Sequence, residues 1–395
     1  MKIDQIDVYV VKIQPDIPAQ PLGVRTLAGD YYVLDKPLSV IYSRRNESVL
    51  IKITTDENII GWGEVLAPTS PEVVAEVIRT ALAPCVIGAD PFENQVLWNR
   101  MYNMFRVRGY QGGFLLDGIS GVDSALWDIK GKACGMPVWR LLGGAAHEKV
   151  PVYMSSNRGQ TVDERVTDVK ERLEEGFHAY KLHAVGDSWR DALEVLEAIR
   201  KRWGPRDLRL MHDGHWNYTL GEARKFGRLM NGLDMEFFEC PLAPEDMQGH
   251  VELARTMDTP LALGESMRNA STFAQWIERR AVEFVQPDVG RVGVTDYMRI
   301  STIAEAHQLA TAPHLSTHLA VGFMASLHVA IAAPSTRYFE YQPVAAANAK
   351  KFAACDIRME DGCLHKPNAP GLGVDVSEKA LAAYVTRKIT VGQNV

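Results

Sequence analysis

Three acidic residues stand 26 residues apart, each closing a short apolar run: Asp213 in LRLMHDG, Glu239 in MEFFEC and Glu265 in PLALGES. A strand, a helix and two loops consume about that many residues, so each interval reads as one βα unit. In a parallel barrel, carboxylates at the ends of three successive strands converge on one point. Three hard oxygen donors at one point are a ligand set suited to Mg²⁺.

The surrounding chain has the rhythm such a barrel requires. From residue 150 onward, strand-like runs occur at PVYMSS, HAYKLHA, LRLMHDG, MEFFEC, PLALGES, EFVQPDV, LATAPHL and RYFEYQ, which makes eight. Amphipathic segments lie between most of them. TVDERVTDVKERLEEG sets Val162, Val166, Val169 and Leu173 at helical spacing, opens with a capping box from Thr161 to Glu164 and stops at Gly176. Thr219 and Glu222 repeat that opening before a helix expected to end near Gly232. The expected fold is therefore α/β, a (β/α)8-type (TIM-like) barrel over residues 141–345. Pro137 and Gly143-Gly144 mark its start.

Residues 1–140 read as an α+β capping domain. Strands are expected at 1–13 and 48–65, the latter folded into a hairpin at Asp56-Glu57-Asn58, and helices near 71–84, 91–105 and 116–133. Residues 15–47 are rich in Pro, Gly and polar residues, without clean periodicity. A loop that long in a compact protein is usually functional, so it reads as a lid. The 346–395 segment loses the βα rhythm and is expected to return to the capping domain and complete it.

Composition narrows the function. Of 395 residues, 46% are hydrophobic and 23% charged, an ordinary globular balance. The net charge of −6 argues against nucleic acid or an anionic membrane as partner and leaves a small molecule. Cys85, Cys134, Cys240, Cys355 and Cys363 are odd in number and lack metal spacing, so they read as reduced thiols of a cytoplasmic protein. The amino-terminal run alternates like a strand and lacks the apolar block of a signal peptide. The longest apolar stretch, 319–334, carries His328 and falls short of the roughly 20 residues that span a bilayer. It is expected to be a buried helix.

Nine polar groups fall in phase at the expected strand ends: Lys181, His183, Asp213, His215, Glu239, Glu265, Asp288, His314 and Glu340. From His183 the main steps are 30, 26, 26, 23, 26 and 26 residues. With these residues, GISGVDSALWDIKGKACGMPVWRLLGG (118–144), GFHAYKLH, QPDVGRVGVTD and PGLGVDV (370–376), the chain resembles the enolase superfamily. The resemblance lies in the mandelate racemase subgroup, above all with acid-sugar dehydratases of the galactonate, mannonate and tartrate dehydratase type. It spans nearly the whole chain.

The resemblance implies Mg²⁺ held by Asp213, Glu239 and Glu265. A proton α to a carboxylate can leave only if the enediolate that forms is stabilised, and a divalent cation does this as a Lewis acid. It also implies that Asp288 orients His314 as general acid or base, and that Glu340 hydrogen-bonds the substrate carboxylate. Strand 2 departs from the subgroup's common Lys-x-Lys, because Lys181-Leu182-His183 puts a histidine where the second lysine stands. His183 would then be the second acid/base group, and Lys181 would neutralise the substrate carboxylate or tune His183. His215, two residues after Asp213, matches dehydratases that protonate the departing hydroxyl from this position. In or beside the lid, Arg25, Tyr32 and Arg45 are candidate contacts for the distal end of the substrate, with Tyr31 and Arg44 in the same loop; Tyr110 and Gln111 in RGYQGG are a separate pair of candidates. His178 reads as a surface or core residue.

The expected activity is Mg²⁺-dependent dehydration of an aldonate or aldarate to a 2-keto-3-deoxy acid, by a homo-oligomer such as a dimer or octamer. The alternatives are a racemase or epimerase using His183 and His314 as opposing bases, a cycloisomerase, and a non-catalytic binding protein on the same fold.

Overall fold

The computed structural model describes residues 1–15, 24–35, 38–156, 158–184 and 188–392. Its first element, β1 (Ile3–Ile13), alternates apolar side chains between two cores. Ile6, Val8 and Val10 join one buried cluster, while Tyr9, Val11 and Ile13 join another. This strand is therefore sandwiched rather than half-solvated. After it come β2 (Arg25–Thr26), β3 (Tyr31–Asp35) and β4 (Ser39–Ser43), which form a small antiparallel sheet of their own. Residues 15–47 thus contain strands where the sequence reads as an irregular lid. The strands are short, and their apolar residues stand side by side (Tyr31-Tyr32-Val33-Leu34, Val40-Ile41-Tyr42), so no alternation is visible. Residues 16–23 and 36–37 of the expected lid lie outside the described residues.

The chain then forms the hairpin of β5 (Asn46–Thr55) and β6 (Ile60–Val65), with Asn58 left-handed in its turn. The helices α1 (Pro71–Val77), α2 (Ala83–Val86), α3 (Asn94–Arg106), α4 (Phe114–Ala133) and α5 (Val138–Leu141) follow, with a π-helical turn, Ile78–Leu82, between the first two. α4 lies directly on β6. A Cβ on Gly63 would collide with the Gly121 carbonyl oxygen, and one on Gly61 with that of Ala125. Glycine is required here by backbone approach.

Eight parallel strands build the barrel: β7 (Lys149–Ser156), β8 (Ala179–His183), β9 (Arg209–Asp213), β10 (Phe237–Glu239), β11 (Leu261–Leu263), β12 (Phe284–Val285), β13 (Ala310–Thr311) and β14 (Phe339–Tyr341). β7 to β13 pair in sequence order, β14 pairs with β7, and an isolated bridge between Thr311 and Thr336 spans the step from β13 toward β14. Tyr153, Ala179, Met211, Phe237, Ala262, Phe284, Ala312 and Tyr338, one from each strand or its end, fill the lumen as a single apolar cluster.

The outer helices are α6 (Val162–Glu174), α7 (Trp189–Arg202), α8 (Leu220–Met230), α9 (Met247–Ala254), α10 (Ala270–Glu278), α11 (Val289–Ala306) and α12 (Ala320–Ala332). The capping boxes at Thr161–Glu164 and Thr219–Glu222 form as the sequence predicts, and Ser188–Asp191 adds a third. Every residue of α12 is buried, His328 included.

The tail runs through α13 (Pro343–Ala349), β15 (Ala353–Cys355), β16 (Met359–Glu360), β17 (Cys363–His365), β18 (Val374–Val376) and β19 (Val385–Gly392). β17 extends the barrel sheet antiparallel to β7, whereas β19 pairs with β1 across the chain's full length. Among the described residues no helix is long and apolar enough to cross a membrane.

Candidate active site

Period-two alternation carries the barrel from its apolar plug to a polar layer. Two residues beyond Tyr153, Ala179, Met211, Phe237, Phe284 and Tyr338 come Ser155, Lys181, Asp213, Glu239, Gln286 and Glu340. All six are buried. Strand register places His183 beside Asp213 and Asp213 beside Glu239. Glu265, Asp288 and His314 lie just past β11, β12 and β13.

Lys181 is locked at the centre of this layer. Its Nζ lies 2.9 Å from Glu239 and 2.8 Å from Glu340, with lysine and both carboxylates 1% exposed. Burial alone would strip its proton, but the two carboxylates outweigh it and hold the ammonium well above its ordinary pKa. Glu340 also accepts the Leu315 N–H at 2.9 Å and, against burial, is kept ionised by Lys181.

The three carboxylates expected to bind metal differ in their company. Burial opposes ionisation of Asp213, but His215, Lys181 and His183 outweigh it and keep the group an anion. Glu239 accepts Gln286 Nε2 at 2.7 Å as well as Lys181. Burial, aided by the charges of Asp213, Glu340 and Glu265, outweighs Lys181 and pushes Glu239 up to about 8. Glu265 pairs with His314 Nε2 at 2.7 Å. Like charges crowded in a dry layer are what a divalent cation would relieve, and hard oxygens are the donors Mg²⁺ takes. Asp213 and Glu239 bring ligand oxygens within 4.8 Å of one another and fit that ion, whereas Glu265 is turned to His314 and stands apart from this pair. Cys240 lies close to Asp213 and Glu239, but burial raises its thiol well above the usual range, so it stays a neutral sulfur.

Three histidines surround the carboxylates, each anchored by a different neighbour. His183 Nε2 meets Ser155 Oγ at 2.8 Å and its Nδ1 lies 3.4 Å from Asp213. Burial pushes this imidazole down to about 4, so it is neutral. His215 follows the end of β9 in a left-handed turn, φ 50°, with its N–H on Asp213 Oδ1 at 2.8 Å. Its Nε2 meets the Tyr42 hydroxyl. Burial opposes its charge, but Asp213 outweighs burial and raises it. His314 Nδ1 is 2.6 Å from Asp288. Burial is outweighed there by Glu265 and Asp288, which push it well up.

Several of these groups were not singled out in the sequence. Ser155 and Gln286 could have been found, since both stand two residues past the plug on their strands. Tyr42 could not, because β4 lies far from β9 in sequence. Of the three lid candidates, Tyr32 is buried and stacks on Tyr42 at 5.7 Å between ring centroids, and Arg45 pairs with Asp30 at 2.8 Å. Arg25 is exposed on β2. The lid meets the carboxylate layer through Tyr42. Tyr110 is exposed, Gln111 offers its carbonyl to Asn269, and His178 pairs with Asp361 at the surface.

Comparison with known proteins matches both parts of the chain. Residues 164–380 fit the family model described as enolase C-terminal domain-like, and residues 34–143 fit the mandelate racemase / muconate lactonizing enzyme N-terminal domain. A D-galactarolactone cycloisomerase of Agrobacterium fabrum is 32% identical over 365 residues, 89% of this chain and 95% of that protein. A D-galactonate dehydratase of Variovorax paradoxus is 32% identical over 348 residues, 84% of this chain and 90% of that one. Among solved structures, a putative isomerase from Sinorhizobium meliloti superposes with a TM-score of 0.92 at 30% identity, covering 97% of this chain and 99% of the other.

Proposed function

Because the chain belongs to the enolase superfamily, in its mandelate racemase and muconate lactonizing enzyme group, we propose that it dehydrates a sugar acid, an aldonate or aldarate, to a 2-keto-3-deoxy acid. The observation that carries this reading is the third histidine. Exchange of a C2 proton between faces needs two acid/base groups flanking C2, whereas elimination needs one base at C2 and an acid placed for the departing C3 hydroxyl. His183 or His314 would be the base, and His215, backed by Tyr42, is the further group available as that acid.

Asp213, Glu239 and Glu265 would hold Mg²⁺, which when bound supplies a Lewis acid for the substrate carboxylate. Lys181 brings a fixed positive charge to the same layer. Glu340 stands beside it to orient the carboxylate. His183, neutral and anchored by Ser155, is poised to accept a proton. His314, set by Asp288, is poised to hold or release one. The C2 configuration of the substrate decides which of the two acts as base.

Cycloisomerisation of a sugar lactone is the second reading, favoured by the similarity to the Agrobacterium cycloisomerase over most of both chains. The same groups would serve, with a ring oxygen as leaving group.

The test is a panel of aldonic acids, aldaric acids and their lactones with Mg²⁺ in D₂O, followed by 2-keto acid formation and C2 deuteration. Keto acid from open-chain acids supports dehydration, and product from lactones alone supports cycloisomerisation. Deuterium at C2 without keto acid would mean a racemase or epimerase. Neither signal across the panel would mean a binding protein. Solution mass, read by light scattering, tests the proposed homo-oligomer.

A further inference from the structure

Asp288 holds two histidines. Its Oδ2 receives His314 Nδ1 at 2.6 Å, and its Oδ1 receives His318 Nε2 and the Gly290 N–H, each at 2.8 Å. His318 is fully buried, and glycines clasp its ring on two sides. A Cβ on Gly290 or on Gly322 would land on the imidazole. The other ring nitrogen, Nδ1, lies 3.6 Å from Glu64 Oε1, an ion-pair distance.

Glu64 belongs to β6 of the capping sheet, not to the barrel. It is equally fixed, accepting the N–H groups of Leu319 at 2.6 Å and Gly322 at 2.7 Å, and the Ser48 hydroxyl at 3.0 Å. Those amides open α12, which has no cap from its own residues. The capping domain therefore supplies both the N-cap of a barrel helix and an anion for His318. Burial opposes charge on His318, but Asp288 and then Glu64 outweigh it and push it up to about 9, consistent with both ring nitrogens carrying protons.

We infer that His318 is a positioning residue: it fixes one oxygen of Asp288 so that the other sets the His314 ring, and through Glu64 it makes that setting depend on a seated capping domain. It is bonded to Asp288 and not to Asp213, Glu239 or Glu265. The kinetic part of the test rests on the proposed sugar-acid reaction, whereas the spectroscopic part does not.

The experiment uses full-length protein labelled with ¹⁵N-histidine. The wild type should show a far-downfield Nδ1–H resonance for His314, assigned by its loss in His314→Asn. His318→Phe fills the space and donates nothing, and should shift or broaden that resonance. On the acid the panel identifies, it should lower kcat by roughly tenfold or more with KM unchanged. His318→Gln keeps a donor near the Nε2 position and should restore both. If Phe prevents folding, His318→Asn, whose shorter amide stops short of Asp288, takes its place. A folded donor-less variant with wild-type resonance and wild-type kcat would overturn the inference. If the panel yields no substrate, the sugar-acid reading falls while the resonance still decides the role of His318.

Discussion

Lys181 shows how one residue's role depends on its company. Strand alternation places it in the site, but only its pairing with Glu239 and Glu340 makes it a fixed cation instead of a candidate base. Lys181→Met should leave Glu340, a buried carboxylate that Lys181 holds ionised, uncompensated and cost about 3–5 kcal/mol, read as a lower midpoint in urea. An unchanged midpoint would mean that Glu340 is protonated or solvated in solution. Glu239→Gln should weaken Mg²⁺ binding in calorimetry and reduce turnover by roughly two orders of magnitude or more. Full activity in that variant would remove Glu239 from the metal site. His314→Asn should abolish elimination or C2 exchange on one face of the substrate, and both continuing at normal rates would remove the His314–Asp288 pair from the chemistry.

Elements meet here through surfaces with little slack. β6 and α4 touch through backbone, so Gly63→Ala must push the helix off the sheet. It should cost about 1–3 kcal/mol of stability, measurable as a drop in the denaturant midpoint. α12 raises a different constraint, because its buried His328 accepts the Trp139 N–H at Nδ1, 3.1 Å away, and burial holds the imidazole down to about 4. The unfolded chain binds this proton near 6.5, the folded chain only near 4. The stabilisation is therefore present above about pH 6.5 and is lost as pH falls toward 4, by up to ~3 kcal/mol. His328→Gln cannot take up that proton, so its unfolding free energy should fall less steeply between pH 7 and 5 than that of the wild type. Parallel slopes would show that His328 is not the group responsible. The capping boxes of α6 and α8 were legible in the sequence because a cap is a contact three residues long. The strands of the lid were not, because β2 to β4 are short and pair with one another, and their adjacent apolar residues, such as Tyr32-Val33, give no period-two pattern.

At the scale of the whole molecule the two chain ends close one sheet. Removing residues after Tyr384 would take β19 from β1 and expose an edge rich in Val and Ile. That truncation should aggregate or unfold at lower temperature, as scattering during a thermal ramp would show; a monodisperse protein with an unchanged midpoint would contradict it. The barrel and its carboxylate layer could be read from the sequence alone. A βα repeat near 26 residues and an alternation of period two are both local, and together they place Asp213, Glu239 and Glu340 at one level of one ring. What only the tertiary structure decided is which of these groups are paired. Tyr42 on His215, Glu64 on the opening of α12, and His318 sharing Asp288 with His314 join segments with no common local pattern. Local periodicity sets the direction a side chain points, but its protonation and its partners depend on whatever the fold brings against it from the rest of the chain.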